Sequence, residues 1–165
     1  MKNQFVKNSR LSTVTKHVPR GLRNKNPLNI RKAENIRWVG TPAEQPDGKF
    51  VTFKSMAYGY RAAWKLLGNY TPRLLKEGKP YTVEHILNRW APPADRNDTD
   101  AYIRFVCLHA GLEPHDTVPH PVLENPQDSY LMRIIEAMTA MECGIPLEQV
   151  DRDAIVEGWK LMRER

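Results

Sequence analysis

The residues that could do chemistry concentrate in two places. The first is Glu142, in the run Met138-Thr139-Ala140-Met141-Glu142-Cys143-Gly144. Apolar spacing predicts a helix over 126–143 that stops at Gly144. The Glu142 carboxyl then sits in the last turn, at the negative end of the helix dipole. That end and the apolar stripe beside it both penalise the charged form. A carboxyl kept protonated near neutral pH is the general acid that glycoside cleavage needs. On these residues alone, a solvent-facing carboxyl at a frayed helix end is the stronger reading.

The second place is 20–32, RGLRNKNPLNIRK, the densest cluster of Asn, Arg, Pro and Gly in the chain. Asn side chains bond nearby backbone and tolerate unusual dihedrals, so an ordered loop is expected. Asn24, Asn26 and Asn29 offer donors and acceptors that suit sugar hydroxyl and N-acetyl groups. Arg20, Arg23 and Arg31 suit lactyl or peptide carboxylates. These residues serve equally well to hold an irregular loop together. Trp38 and Trp90 have faces on which a sugar can stack, although Trp90, at helical spacing, reads more readily as core. Asp47, Asp95 and Asp98 are candidates for a second carboxylate, with Asp98 better explained as a helix cap. His109, His115 and His120 lack any metal-ligand spacing such as HExxH, and neither metal nor cofactor is expected.

Helices must position these groups. Ser55 can cap a helix bearing Met56, Tyr60, Ala63, Trp64 and Leu67 at helical spacing. Thr82 opens another, with Val83, Ile86, Leu87 and Trp90 on one face, ended near Ala91 by Pro92 and Pro93. Asp98 or Thr99 starts a third, with Tyr102, Phe105, Val106 and His109 on its stripe and Gly111 at its end. Asn125 caps the 126–143 helix, with Pro126 in its first turn. Asp151 caps the last, burying Ile155, Trp159 and Met162. Ile36–Val39 and Phe50–Phe53, joined through the turn Pro46-Asp47-Gly48, can form one small β-hairpin. Trp38, Phe50 and Phe53 would then form an aromatic surface.

Composition sets the frame. The chain has 165 residues, 41% of them hydrophobic, which suits one domain with a real core. Its 13 prolines fall between the periodic segments rather than inside them. The net charge of +6 is uneven: residues 1–32 hold nine basic residues and no acid, leaving 16 basic against 19 acidic residues elsewhere. A flexible basic arm over 1–18 followed by a single domain over 19–165 is expected, with a polyanionic partner suggested. Charge apart, no motif supports nucleic-acid binding. No apolar run is long enough to span a membrane. The N-terminus lacks the apolar stretch of a secretory signal, so synthesis in the bacterial cytoplasm is expected. Cys107 and Cys143 read as buried thiols, with a bridge between them left open.

Several motifs occur in one order: RGLRNKNPLNIR at 20–31, the tryptophan and glycine of Arg37-Trp38-Val39-Gly40, FKSMAYGYRA at 53–62, and RWAPPADRNDT at 89–99 followed by Ala101-Tyr102-Ile103. Together they resemble a family of phage virion proteins, often labelled structural proteins, with lysozyme-like character. MTAMECG resembles the helix end that carries the catalytic glutamate in lysozyme-like and lytic transglycosylase domains. The resemblance implies a mainly α, lysozyme-like helical domain that binds peptidoglycan glycan and cleaves it with Glu142, one residue serving as acid and then base. It implies virion components as partners, with the virion or the host cell wall as place of work. A non-enzymatic virion or wall-binding protein on the same fold is the alternative. The Asn-rich loop here precedes the glutamate helix, the reverse of the usual order, which implies a circular permutation. Two positions depart from the pattern. Leu28 stands where the family has Gly, so a positive φ there would be strained. Cys143 stands where Ser or Asn is usual.

Overall fold

The computed structural model describes residues 17–120 and 125–164. The proposed arm over 1–18 lies almost wholly outside the described residues. Among the described residues seven α-helices follow in order: α1 Arg20–Arg23, α2 Met56–Gly68, α3 Tyr70–Lys76, α4 Val83–Trp90, α5 Thr99–Ala110, α6 Tyr130–Cys143 and α7 Arg152–Arg163. The fold is mainly α, as the periodicity predicts.

The helix starts follow capping chemistry. The side chains of Ser55, Thr82, Asp98 and Asp151 accept from the backbone N–H groups of Tyr58, His85, Ala101 and Ala154, satisfying donors that a helix leaves open. Gly111 and Gly144 end α5 and α6 in the left-handed region, where glycine carries no Cβ penalty. The glutamate helix starts later than expected. Asn125 and Pro126 open a short 3-10 turn over Pro126–Asp128, and Ser129 then caps α6. The one-turn α1 and the seven-residue α3 lie where no helix was expected. Trp159 and Met162 are only half-buried.

Helix α6 is the axis of the core. Leu131, Met132, Ile134, Ile135, Ala137, Met138 and Ala140 are all buried, so it is apolar around most of its circumference and is covered on several sides. α5 packs along it, and α1 abuts it. One polar clamp ties three helices: buried Glu136 of α6 meets His109 Nε2 of α5 at 2.9 Å and Arg152 Nε at the start of α7 at 2.5 Å. A buried carboxylate without such partners is strongly destabilising. The α2–α7 pair is close. Trp64 Nε1 donates to the Ile155 carbonyl at 3.0 Å. A Cβ on Gly158 would lie 2.6 Å from Tyr60 Cβ and 2.8 Å from the Ala57 carbonyl oxygen.

The expected hairpin has a different partner. Phe50 pairs antiparallel with Arg31, not with the Ile36–Val39 segment. Val51 N donates to Ile30 O at 3.0 Å, and Lys32 N donates to Lys49 O at 2.9 Å. Among the described residues the pairing is an isolated bridge rather than a strand ladder. Phe53 is therefore core, 1% exposed, and not part of an aromatic surface.

Because the groups facing Gly158 are backbone and Cβ atoms, they cannot swing aside. Gly158→Leu is expected to cost about 3 kcal/mol, the upper range for overpacking, seen as a lower urea midpoint. An unchanged midpoint would show that α2 and α7 separate freely.

Candidate functional site

The 20–31 loop is held by its own amides. Asn26 is fully buried; its Nδ2 donates to Ile30 O at 3.0 Å and to Val51 O at 2.8 Å, and its Oδ1 accepts from Ile30 N at 2.9 Å. Asn24, 3% exposed, donates to Asp47 Oδ2 at 2.9 Å. Leu28 is buried in the core and does not take a positive φ; Asn29 takes it instead, at 50°. Asparagine tolerates that region better than most side chains, so the leucine is not strained.

This loop sits against the end of α6. A Cβ on Gly21 would lie 2.7 Å from Cys143 Sγ, so nothing larger than glycine lets α1 approach so closely. Cys143 Sγ donates to Pro27 O at 3.4 Å, joining residues 116 apart. Asn29 Nδ2 then reaches Glu142 twice, the carbonyl oxygen at 3.1 Å and Oε2 at 3.3 Å. The other carboxylate oxygen, Oε1, accepts from Trp90 Nε1 at 3.1 Å and from Tyr102 OH at 3.2 Å. Four elements thus converge on one half-buried carboxyl.

Glu142 lines a groove of about 520 Å³. Trp38, Phe50, Tyr70 and Trp90 supply aromatic walls, and Asn29, Arg31, Arg89, Asp95 and Asn97 supply polar groups. Apolar walls with a few convergent polar groups are the usual make-up of a small-ligand site. Burial, reinforced by the adjacent Glu142 charge, pushes the Tyr102 hydroxyl far above its ordinary value, so it stays a donor. Burial first, then Glu142, pushes the Cys143 thiol up to about 11. Cys107 and Cys143 are free thiols, with no bridge between them. Among the described residues, no cluster of His, Cys, Asp and Glu could hold a metal.

The candidate residues separate by what their side chains already hold. Asn29, Arg31, Trp38 and Glu142 line the groove. Asn24 and Asn26 do not, because burial and internal bonds occupy them, so they hold the loop rather than a ligand. Arg20 stacks on Phe50 at 4.6 Å and lies 3.8 Å from Asp47, outside the groove. Arg23 is exposed elsewhere. Of the candidate second carboxylates only Asp95 lines the groove; Asp98 caps α5, and Asp47 braces the loop. Trp90 serves both: it packs half-buried against the core, lines the groove, and sends its indole N–H to Glu142. Tyr102 was read as core from its spacing; no sequence signal marks its hydroxyl as a partner of Glu142.

These features define a helical protein with an aromatic-walled groove centred on a hydrogen-bonded glutamate. The chain belongs to a phage protein family: it is 34% identical to Protein P5 of Pseudoalteromonas phage PM2 over 134 residues, which span 80% of this chain and 76% of that protein. No protein-family model matches it. Among the described residues, no helix is long and apolar enough to cross a membrane.

Asp47 gives the loop a pH dependence. The Lys49 N–H, the Asn24 amide and the Phe50 N–H, with a smaller contribution from Arg20, hold its carboxyl at about 2, below the usual 3.8. A depressed folded value means that its stabilisation is present above about pH 4 and is lost as pH falls through about 2. Asp47→Asn should therefore flatten the acid side of the stability curve between those values, followed by thermal melts. An acid limb identical to wild type would show that the loop does not depend on this charge.

Proposed function

We propose that this chain is a phage-encoded protein that binds the glycan strand of peptidoglycan and cleaves it, with Glu142 as general acid and then base. The observation that supports this best is the convergence of Asn29, Trp90 and Tyr102 on the Glu142 carboxyl in the floor of a groove with tryptophan walls. Trp38 and Trp90 offer faces to sugar rings, Asn97 offers its amide to their substituents, and Asn29 holds Glu142. In this reading the donors divide the labour of the two carboxylate oxygens. Oε1 accepts from an indole and a phenol, whereas Oε2 accepts one longer bond from an amide, so Oε2 is the oxygen through which this reading exchanges the proton. Asn29 Nδ2, shared with the Glu142 carbonyl, holds Oε2 in place without neutralising it.

The protonated acid gives its Oε2 proton to the glycosidic oxygen as the bond to the anomeric carbon breaks. The carboxylate then takes a proton from the water or sugar hydroxyl that attacks that carbon. The fold would serve as a lysozyme-like core with its segments in permuted order, working in the virion or at the host wall.

A second reading is a virion component that keeps the groove and binds without cleaving. Kinship with a phage protein supports it as well as the first. Glu142→Gln keeps the shape and removes the transferable proton. Turnover of purified cell walls, measured as released reducing ends, should fall by about a hundredfold or more, with glycan binding and melting temperature near wild type. A Gln variant that digests walls at the wild-type rate removes Glu142 from the chemistry. A wild-type protein that binds walls and releases no reducing ends selects the second reading.

A further inference from the structure

Two arginines line the groove, and they differ in what they already hold. Arg89 Nη1 is bound to Glu77 Oε1 at 2.9 Å, and its guanidinium lies 5.6 Å from the Tyr70 ring centre. Arg31 is exposed, and among the described residues it has no carboxylate partner. Its guanidinium lies 6.0 Å from the Phe50 ring centre. Its backbone is fixed, because Arg31 pairs with Phe50 and its two neighbours are bonded to Val51 and Lys49. A guanidinium resting on an aromatic face, with its N–H fork open to a groove, is placed to take a planar anion through two parallel bonds. The other charged groups sharpen the preference. Glu142 and Asp95 also line the groove, so a carboxylate is drawn towards its arginine side, where Arg89 is already paired with Glu77 and Arg31, among the described residues, is not paired with a carboxylate. The position of an acidic substituent thus sets how a strand lies relative to Glu142.

We propose that Arg31 is the specificity-determining residue of the groove and takes a carboxylate borne by the glycan strand, so that the site prefers an acidic glycan to a neutral one. This rests on the glycan-binding reading above and names the chemical class of ligand within it. Arg20 and Arg23 are excluded from that role: Arg20 is engaged by Asp47 and Phe50, and neither lines the groove.

The test compares three probes of equal sugar length on the full chain, using tryptophan fluorescence to follow binding. They are a neutral N-acetylglucosamine oligomer, a peptide-free alternating oligomer carrying lactyl carboxylates, and the same oligomer bearing stem peptides through amide-capped lactyl groups. The wild type should bind at least one acidic probe about tenfold more tightly than the neutral one, the scale of one charge-assisted bond. Preference for the peptide-free probe assigns the lactyl group as source; preference for the peptide-bearing probe alone assigns the stem. In Arg31→Gln the acidic probes should lose about tenfold relative to the neutral one, so that the ratio falls towards one, while Arg23→Gln should keep the wild-type ratio. Equal affinity for neutral and acidic probes in the wild type overturns the proposal and leaves glycan binding standing. So does an Arg31→Gln variant that keeps the preference or weakens all three probes alike. Failure of every probe to bind overturns the glycan reading and this inference together.

Discussion

The contact of Gly21 with the end of α6 is the constraint on which the site depends. A methyl group at position 21 would overlap the Cys143 sulfur and crowd the Asn26 carbonyl. With glycine there, the Asn-rich loop seats on the last turn of α6, and Asn29 falls within reach of a carboxyl 113 residues away. Asn26 reinforces the arrangement from inside the loop by pinning it to Ile30 and Val51. The loop's polar groups are thus divided between inner bonds that fix its shape and the outer amide that faces the groove.

The Glu142 carboxyl is met by an indole, a phenol and an amide donor at the end of α6. All three donors are neutral, so none fixes the carboxyl as a permanent ion pair. Glu136, two turns back on the same helix, has the opposite arrangement, with Arg152 and His109 on its two oxygens. One helix therefore carries a carboxylate locked into structure and another left open to a groove.

Much of the fold was legible because capping and helix-ending chemistry is local. Ser55, Thr82, Asp98 and Asp151 cap the helices their neighbours predict, and Gly111 and Gly144 end theirs. The failures share a cause. Asn125 and Ser129 are both good caps, four residues apart ahead of the same apolar run, and only packing decides that the α-helix starts at the second. The partner of Phe50–Phe53 was set by the buried Asn26 amide and by Ile30, not by the nearer Trp38 segment. In the site, residue type could not separate Asn29 from Asn24 and Asn26. Burial separates them, and burial is a property of the whole fold. The place of Glu142 in the last turn of α6 was legible from Gly144, which ends the helix. Tyr102 was not, because a tyrosine on an apolar stripe reads as core whatever its hydroxyl meets.

The groove joins Asn29, Trp90 and Glu142, which lie far apart along the chain, and Tyr102, outside its lining, is bonded to Glu142 as well. A chain emerging from the ribosome holds none of these contacts in working order until α6 has been made. Closing so long a loop is an entropic step that local helix formation cannot replace. A product that stops short of α6 lacks Glu142 and the helix end on which the Asn-rich loop seats, so the groove is complete only in chains that reach residue 142.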